Sequence, residues 1–331
     1  MQIILLSGGS GKRLWPLSGG VNSKQFLRLF TDSKGNSESI LQRVYAQIKE
    51  ALPQAEVTIA ANAEQRDIIR EQLGESVDIV AEPQRRDTYP AIALACAYLA
   101  SQKKVDPQEP VFVLPSDPYT ETGFFQNLVK LRTVVSEDRA DIALIGIKPL
   151  SPSSGYGYIM PQAQISDHAF SVQRFVEKPD EDTAANLIRQ GAYWNGGVFA
   201  FKLRYLTDII KEDTGYECFD DITRNFNTLD KISFDYKIVE KAKRVGVVPY
   251  SGKWMDVGTW GAITGEMTVN TSGKVVAEKA ENTYVINDLD IPVLALGTKN
   301  LVIIASPNGI LVADREESAG LKPVVERIES I

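Results

Sequence analysis

The sequence has 331 residues, a length that predicts one large domain and one smaller domain. Apolar residues make up 44% and charged residues 24%, which excludes disorder on compositional grounds, and the formal net charge of −7 argues against a nucleic-acid partner. Because the two cysteines are far apart and the longest apolar run, at 89–100, is too short to span a bilayer, we expect a reduced, cytoplasmic protein without a membrane partner.

Strands and helices alternate along the first half of the chain. Apolar runs predict strands at 1–6, 56–61, 77–81, 111–114 and 140–147, and helices at 39–51, 63–73, 90–103 and 124–137. This alternation predicts an α/β fold with a Rossmann-like, mostly parallel sheet and helices on both faces. Ligands of such sheets bind beyond the carboxyl ends of the strands, which is where the unusual residues of this sequence fall.

The rest of the chain has a different pattern. Residues 156–160 and 171–176 are predicted to pair as strands, before a helix at 183–190 and a strand at 198–203. Later, short β-like runs at 283–286, 292–296, 301–305 and 310–313 alternate with turn residues and precede a helix at 321–328. We therefore predict a main domain at 1–270 and a β-rich domain with a terminal helix at 271–331. The apolar residues 302–304 of this tail either form its own core or mediate a homodimer.

A glycine-rich loop follows the first strand. Gly8, Gly9 and Gly11 let backbone N–H groups approach a phosphate closely, and Lys12 and Arg13 add positive charge at the same place. A Walker A loop requires Ser or Thr after its lysine, and a dinucleotide loop requires a third glycine where Leu14 stands. Neither pattern is met, so the alternatives are another kind of phosphate loop or a tight turn.

Positive charge extends beyond this loop. Lys12, Arg13, Lys24 and Arg28 lie within one short stretch that contains no acid. Four such cations repel one another unless an anion is present, and a triphosphate would supply that anion. The alternative interpretation is a basic surface patch.

Two aspartates from distant segments are candidate metal ligands. Asp117 follows the strand at 111–114, and Asp256 lies in the stretch at 254–260. Mg²⁺ prefers one or two carboxylates together with substrate phosphate oxygens, which two aspartates meeting at one sheet edge would provide. Each residue taken alone is equally typical of a cap or a turn.

A third group of residues suits a sugar phosphate. Glu177 could accept hydrogen bonds from sugar hydroxyls while Lys178 neutralises the phosphate, and Asn195 could both donate and accept. Gly157 leaves room for a flat ring to approach the backbone. The alternative for Glu177 and Lys178 is an exposed strand end.

Four motifs taken together resemble a known family. They are the stretch at 7–16, similar to G-G-x-G-T-R-L-W-P; 23–26, similar to P-K-Q-F; 175–179, which matches F-V-E-K-P; and 254–260, which matches W-x-D-V-G-[ST]-W. As a set they resemble the sugar-phosphate nucleotidyltransferases, and their long forms resemble the bacterial mannose-1-phosphate guanylyltransferases. The resemblance covers nearly the whole chain, including a β-rich tail similar to that family's small left-handed β-helix-type domain.

The resemblance implies that the protein transfers GMP from GTP to mannose 1-phosphate with Mg²⁺ as cofactor. It implies the following roles: phosphate binding for Gly8, Gly9 and Arg13; neutralisation of the triphosphate for Lys24; Mg²⁺ binding for Asp117 and Asp256; sugar binding for Gly157, Glu177 and Asn195; and binding of the sugar phosphate for Lys178. Arg86 and Thr88 lie in the stretch that adjoins the nucleotide base in the family.

Other nucleotides, sugars and reactions remain open. Asp87 and Tyr89 replace the usual Asn and Ala beside the base, and 153–155 departs from the usual E-T-G before Tyr156, so uridylyl, cytidylyl or thymidylyl transfer is the main alternative. A glycosyltransferase of the D-x-D type is a different class, with Asp288 and Asp290 as its motif. The single histidine leaves no Ser–His or Cys–His pair, and attack by a phosphate oxygen needs no protein base.

Overall fold

A computed structural model gives the structure of the protein and describes residues 1–8 and 14–328. The chain forms two compact units, each made of segments that are distant in sequence. The first contains Met1–Gly8, Tyr45–Ser116 and Thr120–Trp254; the second contains Gly9–Val44, Asp117–Tyr119 and Met255–Ile331. The predicted division of the chain at residue 270 stays a prediction.

Strands and helices are numbered here in chain order over the described residues. The strands are β1 (Gln2–Ser7), β2 (Phe30–Thr31), β3 (Ser37–Glu38), β4 (Glu56–Asn62), β5 (Asp78–Glu82), β6 (Pro110–Pro115), β7 (Pro118–Thr120), β8 (Ile142–Ile147), β9 (Tyr158–Ser166), β10 (Ala169–Val176), β11 (Tyr193–Lys202), β12 (Val245–Tyr250), β13 (Trp254–Asp256), β14 (Thr271–Ser272), β15 (Val275–Glu278), β16 (Tyr284–Asn287), β17 (Val293–Leu296), β18 (Leu301–Ser306) and β19 (Gly309–Asp314). The helices are α1 (Ile40–Ala51), α2 (Arg66–Leu73), α3 (Thr88–Ser101), α4 (Thr122–Gln126), α5 (Leu128–Ser136), α6 (Glu181–Arg189), α7 (Leu203–Thr214), α8 (Phe219–Arg224), α9 (Phe234–Lys237), α10 (Trp260–Glu266) and α11 (Leu321–Ile328). In the described part of the chain, no helix is long and apolar enough to cross a membrane.

The first unit is built on a mixed sheet. Over the described residues its order is β5-β4-β1-β6-β11-β8-β12-β10-β9. The strands β5, β4, β1 and β6 run parallel, as do β8 and β12, whereas β11 lies antiparallel between β6 and β8. The predicted pairing of the strands near 156–160 and 171–176 is confirmed, with Tyr158 opposite Val176 in an antiparallel register. The predicted α/β class is therefore confirmed.

Apolar side chains cover both faces of this sheet. On β1, Ile4 belongs to a buried cluster that includes Ile92 and Leu94 of α3. Its neighbours Ile3 and Leu5 point to the opposite face, since successive strand residues alternate, and they are buried as well. Strands buried on both faces must be apolar throughout, which explains why the strand-forming runs in the sequence are continuous.

The predicted helix at 124–137 is two helices, α4 and α5, separated by Asn127. The Asn127 amide donates to the backbone oxygens of Gly123 at 3.1 Å and Phe124 at 3.3 Å. A side chain that bonds to these carbonyls competes with the hydrogen bonds of a helix, so the helix is interrupted here. The sequence patterns also leave α7 and β12 unassigned.

The strands after residue 270 form a parallel coil within the second unit. Val275 lies opposite Val293 and Tyr284 lies opposite Val302, so these two strand pairs share a spacing of 18 residues, whereas Thr271 lies 14 residues before its partner Val285. This repeat is that of a β-helix-like coil, and the antiparallel strand β19 closes it against β18. Val302 and Ile304 are fully buried and form part of the tail's own core. The homodimer stays a prediction.

Candidate active site

Lys24 lies between two aspartates that are distant in sequence. Its Nζ is 2.9 Å from Asp117 Oδ2 and 2.6 Å from Asp256 Oδ1. The lysine side chain is 17% exposed, and the carboxylates are 34% and 35% exposed. All three residues belong to the second unit. The structure thus brings together the two carboxylates predicted to bind metal and the lysine predicted to meet the triphosphate, and these roles stay proposals.

The backbone that carries these groups is anchored by apolar neighbours. Lys24 begins a short 3-10 helix whose residue Phe26 is buried. Beside Asp117, the ring of Tyr119 packs 5.1 Å from that of Phe30, and the Arg43 guanidinium lies 4.7 Å over the same Tyr119 ring. Anchoring of this kind holds charged groups in place before a ligand binds.

The charges of the aspartates dominate the titration of Lys24. Burial alone would lower the pKa of Lys24, but the negative charges of Asp117 and Asp256, with their hydrogen bonds, raise this pKa above its ordinary value. The lysine therefore stays protonated at neutral pH. The sequence suggests an unbalanced cation at this position, and the fold supplies its counter-charges from two distant segments.

The residues that follow the glycine-rich loop are held by the tail of the same unit. The buried Trp260 donates from Nε1 to the Trp15 carbonyl at 3.0 Å. The Pro16 carbonyl accepts from Ser306 Oγ at 3.0 Å and from Asn308 Nδ2 at 3.1 Å. Since Trp260 begins α10, shortly after Asp256, these bonds tie the end of the loop to the segment that carries the second aspartate.

The predicted phosphate-binding residues are only partly within the described chain. Gly9, Gly11 and Arg13 lie outside the described residues. Gly8 is described, follows β1 directly and is exposed. A Cβ atom added at Gly8 would have nothing within 4 Å among the described residues. A lack of room for a side chain therefore does not explain why glycine occupies this position. Its role in nucleotide binding stays a proposal.

Arg86 and Thr88 bond to one segment of the first unit. Arg86 donates from Nε and Nη2 to the Leu229 carbonyl at 3.1 and 2.7 Å. Thr88 Oγ1 accepts from the Phe234 backbone N–H at 2.8 Å. Both side chains therefore fix the segment that leads into α9, and the prediction that they bind the nucleotide stays a prediction.

The four residues predicted to bind the sugar phosphate come together in the first unit. The Asn195 backbone N–H donates to the Gly157 carbonyl at 2.7 Å. Lys178 Nζ lies 2.7 Å from Glu177 Oε1, and a Cβ atom added at Gly157 would lie 2.5 Å from Glu177 Oε2. The structure brings these residues together, while their role in sugar binding stays a proposal.

Lys178 has a strained backbone at this place. Its φ is +44°, a region that lysine rarely adopts, and Pro179 follows it. A residue before proline favours an extended backbone, and strain of this kind costs on the order of 1–3 kcal/mol. The side chain is 60% exposed, and its hydrogen bond to Glu177 raises the pKa of Lys178. A strained, exposed and firmly protonated lysine suits an anionic ligand.

The sequence patterns miss Asp235. This residue lies on α9, and its Oδ1 accepts from Asn195 Nδ2 at 2.6 Å. Burial raises the pKa of Asp235 from 3.8 to about 6, helped by the charge of Glu177 and opposed by the bond from Asn195. Only the run of Ser, Asp and Lys in an otherwise apolar stretch at 232–239 marks it in the sequence, and this signal is too common to indicate a site.

Asp235→Asn is expected to stabilise the protein at pH 7.5 and to have little effect below pH 4. An acid whose pKa is raised by folding contributes most to stability below its unfolded pKa, and this contribution is lost as pH rises through about 6. A rise from 3.8 to about 6 sets an upper limit of about 3 kcal/mol on the gain at pH 7.5. Urea unfolding at pH 7.5 and below pH 4 measures the change in the free energy of unfolding.

Asp230→Asn is the matched control for this stability effect. A hydrogen bond from Lys237 lowers the pKa of Asp230, so removing this carboxylate should change the free energy of unfolding in the opposite direction at pH 7.5. An equal stability change for Asp235→Asn at both pH values would contradict the assignment of the raised pKa.

Gly157→Ala is expected to raise the KM for the sugar phosphate about tenfold, with little change in the KM for the nucleotide. The new methyl group would lie 2.5 Å from Glu177 Oε2 and 2.6 Å from Phe175 Cζ, so it must displace the carboxylate. Overpacking of this kind costs typically about 1–3 kcal/mol, and about 1.4 kcal/mol is tenfold. Gly155→Ala is the control, because its methyl group would meet only Ser153 Oγ, at 3.4 Å, among the described residues. Steady-state kinetics with each substrate varied separately measure the two KM values and test this prediction.

Comparison with known proteins defines the class of this protein. The profile of the family described as Nucleotidyl transferase matches residues 2–271, and the chain belongs to this family. The predicted enzyme class, a nucleotidyltransferase, is thereby confirmed.

Individual relatives extend over almost the whole chain. The chain is 33% identical to the mannose-1-phosphate guanylyltransferase of Escherichia coli, over 98% of this chain and 73% of the relative. It is 34% identical to the xanthan biosynthesis protein XanB of Xanthomonas campestris pv. campestris, over 99% of this chain and 73% of the relative. The crystal structure of mannose-1-phosphate geranyltransferase from Thermus thermophilus superposes with a TM-score of 0.81 at 27% identity, covering 99% of this chain and 98% of that chain. The resemblance inferred from the motifs is confirmed.

Proposed function

We propose that the protein transfers GMP from GTP to mannose 1-phosphate and so forms GDP-mannose and pyrophosphate. The similarity to the Escherichia coli mannose-1-phosphate guanylyltransferase over 98% of the chain supports the choice of substrates. The ammonium of Lys24 between two carboxylates is the observation that carries the chemistry, because it puts one cation and two potential metal ligands at the same point. Phosphoryl-type transfer depends mainly on such positioning and charge stabilisation.

Asp117 and Asp256 fit a divalent cation. One oxygen of each already converges on a single positive group, at 2.9 and 2.6 Å. In the described part of the chain, no group of three or more His, Cys, Asp or Glu side chains could hold a metal ion. Mg²⁺ suits a site with two carboxylates, because it completes its shell with water and substrate phosphate oxygens. Bound there, Mg²⁺ would supply charge that offsets the triphosphate.

The protein's own residues then bind and orient the substrates and neutralise their negative charge. Lys178 would hold the phosphate of the sugar, and Glu177 and Asn195 would hold its hydroxyls. A sugar-phosphate oxygen attacks the α-phosphorus and forms the new P–O bond while the bond to the bridging oxygen breaks and pyrophosphate leaves. The attacking phosphate monoester, with a second pKa of about 6, is mostly dianionic at pH 7, so no protein base is needed. Lys24 would stabilise charge that develops on the leaving group.

An assay of the purified protein with each nucleoside triphosphate and a panel of sugar 1-phosphates tests the proposal. GTP with mannose 1-phosphate should give the highest kcat/KM, and chelation of Mg²⁺ should stop pyrophosphate release. A clear preference for UTP, CTP or dTTP, or for glucose 1-phosphate, would replace the proposed substrates and keep the reaction. Use of GDP-mannose as a sugar donor, without pyrophosphate formation, would overturn the reaction itself.

A further inference from the structure

Asp235 occupies a fixed position beside the proposed sugar-binding residues. It lies on the single-turn helix α9, where Ser233 Oγ accepts from the Tyr236 N–H at 3.2 Å. The preceding residue, Phe234, is buried, and its N–H donates to Thr88 Oγ1 at 2.8 Å. These contacts hold the backbone on both sides of Asp235, so its carboxylate has a defined direction.

That carboxylate and the Gly197 N–H together fix the orientation of the Asn195 amide. Asn195 Nδ2 donates to Asp235 Oδ1 at 2.6 Å, and Asn195 Oδ1 accepts from the Gly197 N–H at 3.0 Å. A backbone N–H can only donate, so the amide oxygen must face Gly197 and the amide nitrogen must face Asp235. The orientation is therefore set by chemistry at both ends.

This arrangement leaves Asn195 a matched pair of groups for a ligand. A carboxamide has two N–H donors and two acceptor lone pairs. Among the described residues, one donor is bonded to Asp235 and one lone pair to Gly197, which leaves one donor and one acceptor on the two terminal atoms of the amide. Two neighbouring hydroxyls of a sugar ring present the complementary pair, since a hydroxyl both donates and accepts.

We propose that Asp235 is a positioning residue that sets the specificity for the sugar by holding the Asn195 amide towards two adjacent ring hydroxyls. The proposal rests on the proposed function, because it takes Asn195 as a ligand of the sugar phosphate. Asp235 acts through Asn195 and does not itself bind the sugar. What matters at position 235 is an acceptor atom at the Asp235 Oδ1 position, and the negative charge is not required.

A set of variants separates this role from a general structural role. Asp235→Ala removes the acceptor, Asp235→Asn keeps an acceptor oxygen without the charge, and Asn195→Ala removes the amide. With mannose 1-phosphate and GTP varied in turn, Asp235→Ala should raise the KM for the sugar phosphate about tenfold or more, the loss expected for a site whose polar group is misdirected. The KM for GTP should stay within about twofold, and Asp235→Asn should restore a KM for the sugar phosphate close to that of the unmodified protein.

The double variant gives the decisive test. If Asp235 acts only through Asn195, then Asp235→Ala combined with Asn195→Ala should have the same KM for the sugar phosphate as Asn195→Ala alone. Asp230→Ala, on the same segment but paired with Lys237, is the control for local disturbance and should leave both KM values unchanged.

Three results would overturn the proposal. They are equal changes in both KM values with Asp235→Ala, a KM for Asp235→Asn as high as that for Asp235→Ala, and fully additive effects in the double variant. Each of these requires that the unmodified protein turns over, so each defeats the inference and leaves the proposed function standing. If the unmodified protein releases no pyrophosphate with any sugar 1-phosphate, the proposed function fails and the inference fails with it.

Discussion

Asp256→Asn lowers the rate of pyrophosphate release by about 10³-fold, if the proposed metal site is correct. The substitution removes one of the two charges that face Lys24 and one of the two carboxylates that would bind Mg²⁺. A bound metal ion contributes several kcal/mol to charge stabilisation, and about 1.4 kcal/mol is a factor of ten. The measurement is the initial rate of pyrophosphate release at saturating GTP, mannose 1-phosphate and Mg²⁺.

Asp290→Asn is the matched control for this loss. Asp290 belongs to the same unit, is exposed, and pairs with Lys274 at 3.3 Å, so the substitution makes the same chemical change at a different ion pair. It also removes half of the Asp288–Asp290 motif of the glycosyltransferase alternative. Normal turnover by Asp256→Asn would exclude the metal assignment, whereas a specific loss with Asp290→Asn would favour the alternative class.

Elements with a strong hydrophobic pattern are predictable from the sequence. The parallel strands β1, β4 and β6 follow from continuous apolar runs, because burial on both faces demands them. The split between α4 and α5 is not predictable in this way, since it depends on which carbonyls the Asn127 side chain reaches. The antiparallel placement of β11 likewise depends on the pairing of distant strands, so no local sequence pattern predicts it.

The candidate site is likewise only partly predictable from the sequence. Lys24, Asp117 and Asp256 belong to recognisable motifs, and the sequence predicts that the two aspartates meet. The structure brings them together in a different way from the predicted sheet edge, since Asp117 lies between β6 and β7, Asp256 ends β13, which pairs with β7, and Lys24 begins a 3-10 helix. The ion pairs between them are not predictable, since they depend on side-chain geometry across 232 positions of sequence. Asp235 belongs to no motif identified in the sequence, and its importance follows only from its contact with Asn195.

Lys24→Met is expected to reduce kcat by about 10²-fold or more and to tighten the binding of a divalent cation. An ammonium positioned at a developing negative charge contributes about 3–4 kcal/mol, which is more than a factor of 10². The same ammonium now offsets the charges of Asp117 and Asp256 at 2.9 and 2.6 Å, so it competes with a metal ion for the same two carboxylates. Activity and metal affinity should therefore change in opposite directions.

Calorimetric titration of the nucleotide-free protein with Mn²⁺ measures the affinity without any turnover. Lys24→Met should bind Mn²⁺ about tenfold more tightly than the unmodified protein, since one competing charge is gone, and Mn²⁺ should raise its melting temperature by a larger amount. Lys24→Arg keeps the charge and is the control; it should bind Mn²⁺ as the unmodified protein does while its kcat falls, because a guanidinium cannot reproduce the geometry of an ammonium. Weaker Mn²⁺ binding by Lys24→Met would mean that the lysine helps to hold the two carboxylates together for the metal, and that competition between the two cations is not the determining effect.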